Sequence, residues 1–295
     1  MNIRPSRQAV EAEDERPTVI GLHAGAGAPE QWRPLTERLR LRNRVLAPDL
    51  RGYAASASGT DEPFSLDAEA ALIAPLVDAI PGKVYLVGHD YGAAVALRLA
   101  LARRERIGGL VLYEPTLFSL LLADPGSRDA AMDIAVLRLV LGRYLDAGDW
   151  FRAALRYVDH WSGKDAWERL STPQRAAIAW RMPELCARLD AELADPTHLS
   201  VYAAIDVPVL LLSGTRPRAS TGRIAELLAR TLPRAEWHTV DGAGLRGIDS
   251  HPEAVEREIE DFLARHPPSW YRDPEPTGFF ALPAFAYRHR GTGHG

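Results

Sequence analysis

Asp90 is the residue whose setting in the sequence most directly implies chemistry. It lies in Val84-Tyr85-Leu86-Val87-Gly88-His89-Asp90-Tyr91-Gly92-Ala93-Ala94-Val95, an apolar strand running into a turn and then a helix of small residues. Glycines two positions before and after Asp90 fit a sharp turn in which no Cβ can be placed where backbones meet. A carboxylate at that point faces a helix N-terminus and free amides, and both favour its charged form unless an apolar roof seals it. An ionised carboxylate can attack a strained or halogenated carbon, accept a proton, or balance a developing cation. The competing expectation is an inert remnant neutralised by an arginine such as Arg216 or Arg246.

These residues resemble the nucleophile elbow of the α/β-hydrolases, with aspartate where most members carry serine. Further segments resemble the same family. Thr18-Val19-Ile20-Gly21-Leu22-His23-Ala24-Gly25-Ala26-Gly27, with Gln31-Trp32 after it, is similar to the oxyanion loop. Val45 to Tyr53 resembles the next strand and its turn, with Ala54 in place of a final glycine. Leu110 to Pro115, Val207 to Gly214 and Asp241-Gly242-Ala243-Gly244 resemble later strands and the turn before the catalytic histidine. The resemblance implies an α/β fold, a mostly parallel sheet flanked by helices with an inserted helical cap.

It also implies site residues. Asp90 would be the nucleophile of an epoxide hydrolase or dehalogenase, and the backbone N–H groups of Gly25 and Tyr91 would be the oxyanion donors. The catalytic histidine is expected directly after Gly244, where this chain has Leu245. Without that base, an ester on Asp90 would accumulate. The usual acid position is empty as well, since Gly214-Thr215-Arg216-Pro217-Arg218 contains no carboxylate, and Glu114 is left as the alternative acid. Tyr91 replaces the tryptophan or arginine that often cradles a halide, which argues against haloalkane dehalogenation. Among the other histidines, His23 and His89 are motif residues expected to pack behind the turn, with His23 at the pocket edge. His238 falls in a strand and His251 at a helix start. His160, in a cap helix, is the candidate replacement base, and Leu245, His23 and Tyr157 are the expected pocket residues.

The surrounding elements must position these groups. From Thr18 to about Tyr113, strands alternate with helical patterns at Gln31 to Leu41, Asp67 to Ile80 and Tyr91 to Arg104, the pattern of a parallel sheet. Between 116 and 197 the strands stop. Ala130 to Leu145, Trp150 to Trp161 and Pro173 to Glu192 show apolar residues at helical spacing, so this segment reads as a cap that excludes water and selects substrate. Its aromatic residues suit an apolar ligand, although most are expected simply to pack. The expected division is a core of 18–115 and 198–265, a cap of 116–197, a tail of 1–17 and an aromatic, proline-rich extension of 266–295.

With 295 residues, 46% of them hydrophobic, the chain can bury a substantial core. A net charge of −4 with no basic aromatic patch gives no case for nucleic acid. Cys186 is the single cysteine, so neither a disulfide nor a cysteine metal cluster is expected. No cofactor or metal is implied, no membrane-spanning run is present, and a cytoplasmic location is expected. The expected partner is an apolar small molecule, with homo-oligomerisation through the C-terminal extension.

Three functions fit these residues. The first is a non-hydrolytic enzyme in natural-product metabolism, using Asp90 and the oxyanion amides for cyclisation, isomerisation or elimination. The second is an epoxide hydrolase or dehalogenase with Asp90 as nucleophile and an unusual base. The third is an inactive ligand-binding relative, which a filled or collapsed pocket would favour.

Overall fold

A computed structural model describes residues 16–51 and 63–269. The tail before residue 16, the Tyr53-Ala54 turn and the extension from residue 270 lie outside the described residues. Among the described residues six strands form one sheet in the order β2-β1-β3-β4-β5-β6, and every neighbouring pair is parallel. They are β1 (Thr18–Leu22), β2 (Arg44–Leu46), β3 (Val84–His89), β4 (Ile107–Tyr113), β5 (Val209–Gly214) and β6 (Ala235–Val240).

Side chains alternate across the central strands, as the two-residue period of a strand requires. Leu86, Leu110, Leu112, Val209 and Leu211 face one apolar core. Tyr85, Val87, Val111, Leu210 and Leu212 face another. Both faces are therefore covered, and the strands read as continuous apolar runs rather than alternating ones. The helices packed on them include α1 (Arg33–Leu39), α2 (Leu66–Ala79), α3 (Tyr91–Ala102), α8 (Ala219–Thr231) and α10 (Pro252–Arg265), with the single-turn α9 (Gly247–Ser250) before the last.

Four helices stand between β4 and β5: α4 (Phe118–Ala123), α5 (Arg128–Asp146), α6 (Trp150–Ser162) and α7 (Thr172–Ala194). Local chemistry sets their ends. Ser171 and Gln174 form a reciprocal cap at the start of α7, and Gly163, at φ 89°, ends α6 in a conformation that glycine adopts without strain. Three of these helices match the expected stretches to within a few residues. The short α4 has no periodicity to announce it, and the stretch expected as a helix from Gln31 splits into a 3-10 turn, Pro29–Trp32, followed by α1. Leu137, Leu141, Ala153, Met182 and Leu185 belong to the same apolar core as the sheet, so these helices are packed into the body. Among the described residues no helix is long and apolar enough to cross a membrane, and no group of three or more His, Cys, Asp or Glu could hold a metal ion.

Candidate active site

The turn at Asp90 is as sharp as its glycines imply. Asp90 has φ 56° and ψ −120°, a strained backbone for a side-chain-bearing residue and one that serves to project the carboxylate from the strand end. A Cβ on Gly88 would lie 2.5 Å from the Ala93 Cα, and one on Gly92 would lie 2.2 Å from the Leu22 carbonyl oxygen. Strand β3, helix α3 and the end of β1 meet there, and only glycine lets them.

Asp90 is buried, with an exposure of 8%. The Gly25 N–H donates to its Oδ2 at 3.0 Å, and the Tyr91 N–H and the Thr116 hydroxyl also hydrogen-bond the carboxyl. The two backbone groups expected as oxyanion donors thus converge on Asp90 itself. Burial pushes the Asp90 carboxyl up, and these donors and the neighbouring His89 pull it back.

A second carboxyl, which sequence reasoning missed, faces Asp90. Glu192, near the end of α7, is hydrogen-bonded to Thr116 Oγ1 and is 5% exposed. Burial pushes Glu192 well above the ordinary carboxylate range, and the charge of Asp90 raises it further. A hydroxyl has one proton to donate, so Thr116 cannot satisfy two carboxylates at once. The pair is consistent when Glu192 is protonated and donates to Thr116, which donates to an ionised Asp90. Asp90, with two backbone donors, is the better anion of the two. A sequence signal existed: Glu192 continues the apolar stripe of Met182, Leu185 and Leu189, where a charged side chain is out of place unless it has a buried partner.

These groups line a small cavity with Phe118, Tyr157, Trp161 and Leu185. Its free space is about 20 Å³, room for one water. The Tyr91 hydroxyl and Trp161 Nε1, on residues of its wall, are buried without a hydrogen-bond partner among the described residues. Tyr157, expected as a pocket residue, does line the cavity, and burial beside Asp90 keeps its phenol protonated.

The remaining candidates lie elsewhere. Glu114 is fully buried at the end of β4, its oxygens taken by the Gly214 N–H at 3.0 Å and the Thr221 hydroxyl at 2.9 Å. It ties β4 to β5 and α8 and does not line the cavity. His23 accepts from the Leu50 N–H at Nε2, 3.1 Å, and donates from Nδ1 to the Ala24 carbonyl, 2.9 Å. Burial holds its pKa down to about 4, so it is a neutral brace behind the loop rather than a pocket residue. Leu245 is 8% exposed and lines a neighbouring cleft, while its carbonyl accepts from His89 Nε2 at 2.8 Å. His160 lines that same cleft, where Arg218 Nη2 is 3.2 Å from its Nδ1. Trp161, next to it in the chain, lines both spaces, and among the described residues no histidine lines the Asp90 cavity. Arg216 and Arg246 also face the cleft rather than Asp90.

Comparison with known proteins completes the description. A profile of the Alpha/beta hydrolase family matches residues 19–258. The chain belongs to that family. A pimeloyl-[acyl-carrier protein] methyl ester esterase of Nitrosomonas europaea is 27% identical over 250 residues, covering 83% of this chain and 94% of that protein. Epoxide hydrolase 3 of Siraitia grosvenorii is 40% identical over 105 residues, 32% of this chain and 31% of that protein. The structure of a thermophilic esterase from Thermogutta terrifontis matches with a TM-score of 0.67 at 25% identity, covering 85% of this chain and 91% of that one. The chain is an α/β-hydrolase superfamily enzyme, and the proteins it is similar to include esterases and an epoxide hydrolase.

Proposed function

We propose that this α/β-hydrolase acts on an apolar small molecule by proton transfer at Asp90, without forming an ester on it. The observation that carries the reading is the Glu192–Thr116–Asp90 series, two buried carboxyls hydrogen-bonded to one hydroxyl, with both carboxyls on the wall of a single aromatic cavity. Asp90 accepts a proton from a substrate carbon or hydroxyl, Glu192 donates one to the substrate, and transfer from Asp90 through Thr116 to Glu192 resets the pair, so its charge is unchanged over a cycle. Isomerisation, elimination and ring closure need only these transfers, and the amides of Gly25 and Tyr91 favour the charged form of Asp90 that begins them. The cavity holds about one water, so a substrate enters only as Tyr157, Trp161 and Leu185 give way, which makes displacement of the cap helices part of the cycle.

The likeness to an epoxide hydrolase and the Gly25 N–H on Asp90 Oδ2 favour a second reading, in which Asp90 attacks carbon and the ester is then hydrolysed. Isotopes separate the two. Turnover of a panel of epoxides, alkyl halides and cyclisable terpenoids in D2O places deuterium in the product under the first reading, with no protein adduct by intact mass. Oxygen-18 from labelled water in the product, or a lasting adduct on Asp90 that Leu245→His speeds toward release, overturns it.

A further inference from the structure

Next to the Asp90 cavity, across Trp161, is a cleft between α6 and the turns that follow β5 and β6, with a volume of about 610 Å³. That is within the range of small-molecule sites. Its charge is one-sided. Arg169, Arg216, Arg218 and Arg246 all line it, and Asp249 is the one carboxylate among the described lining residues. Asp249 is taken by Arg246 at 2.8 and 3.0 Å, and Arg218 is held from behind by Asp133 at 3.0 and 3.1 Å. Arg169 and Arg216 have no carboxylate partner among the described residues, which leaves two uncompensated guanidiniums facing one cleft.

The wall also contains donors with nothing to donate to. A guanidinium only donates, so His160 Nδ1 is the acceptor from Arg218 and the ring proton is on Nε2. That Nε2 is buried without a hydrogen-bond partner, its nearest carboxylate oxygen, on Asp133, being 3.6 Å away, and the His160 side chain is only 6% exposed. Arg218 Nε is likewise buried and unpartnered. Buried donors without acceptors are costly and rare. The Arg216 guanidinium lies against the turn of β6, where a Cβ on Gly242 would come within 3.2 Å of its Nη2, so its place depends on the glycine. Leu170, Val158, Trp161 and Leu245 supply apolar surface beside the arginines.

We propose that this cleft is a binding site for a small molecule with a phosphate monoester or diphosphate group on an apolar body. A dianion matches the two uncompensated guanidiniums, whose forked N–H groups suit phosphate oxygens, and the apolar side chains hold the body. The site is separate from Asp90, across Trp161, and does not depend on the reaction there.

Calorimetric titration with octyl phosphate, octanoate and octanol tests it. Octyl phosphate is expected to bind tightest, and Arg169→Ala/Arg216→Ala to weaken it by roughly tenfold or more, since each substitution removes a charge-assisted contact. Both residues are exposed, so folding is not at stake, and Asp90→Asn should bind octyl phosphate as the parent does. Equal binding of octanoate would assign a monoanion and overturn the phosphate. Unchanged affinity in the double variant, or binding no tighter than that of octanol, would overturn the site.

Discussion

Arg188, on helix α7, donates from Nη1 to the Gly25 carbonyl at 2.9 Å, while the N–H of Gly25 holds Asp90 Oδ2 at 3.0 Å. Helix α7 is thereby joined through one loop residue to the carboxylate. Arg181 donates to the same carbonyl at 3.0 Å, and Arg188 also bonds the Arg51 carbonyl, pairs with Glu184 at 2.8 Å and stacks over Tyr91 at 5.2 Å. Arg188→Met leaves Glu184 and the Gly25 carbonyl without their buried cation. Turnover is expected to fall about 10- to 100-fold with a lowered melting temperature, while Arg181→Met, more exposed, costs less. Equal, small effects of the two would show that the loop holds Asp90 unaided.

Asp90→Asn keeps the size of the side chain and removes its capacity to accept a proton. Turnover is expected to fall by about 10²- to 10⁴-fold with the fold intact by circular dichroism. Thr116→Val should lose about 10- to 100-fold, because it separates Glu192 from Asp90 without altering volume. Full activity of Asp90→Asn would show that the site is inert.

The sequence carried the sheet, the turn and the departure at Leu245 because each is local. Gly88 and Gly92 are dictated by contacts within a few residues of Asp90 and with β1, and the buried strands are uninterrupted apolar runs. What faces Asp90 is not local. Glu192 and Thr116 are distant in the chain, and only the packing of α7 onto the core brings them together. His160 was the natural substitute base by residue type, yet the orientation of α6 turns it to the arginine side of Trp161, where Arg218 claims its free nitrogen. Glu114 has the right residue type and strand position for a triad acid, but the absence of a histidine leaves it as a brace.

His160 should appear in the acid stability of the protein. Burial, aided by the charge of Arg218, holds its pKa down from 6.5 to about 4. The unfolded chain takes up a proton there as pH falls below 6.5, and the folded protein does not until about 4. Stability is therefore full above 6.5 and lost as pH falls toward 4, by on the order of 3 kcal/mol for this group. His160→Gln keeps an acceptor for Arg218 and has nothing to titrate. Urea unfolding between pH 4 and 7 should show a shallower acid loss in the variant, and parallel curves would reject a neutral, buried His160.

Glu192 makes the opposite contribution, which makes it separable. Its folded pKa lies above the ordinary 4.5, because burial and the Asp90 charge resist its ionisation. Above 4.5 the unfolded chain has released this proton and the folded protein retains it, so stability is present at low pH and is lost as pH rises from 4.5 through the raised value. Glu192→Gln keeps an amide donor for Thr116 and cannot ionise. The stability of Glu192→Gln relative to the parent should therefore grow as pH rises from 4.5 to 7, measured by urea unfolding. If Glu192 is the acid that returns a proton to the substrate, the same variant loses about 10²-fold or more in turnover while becoming relatively more stable at neutral pH. A purely structural role predicts the stability change with activity intact. A flat stability difference across that range would mean that Glu192 is ionised in the folded protein, and with it the assignment of acid and base in the pair would fail.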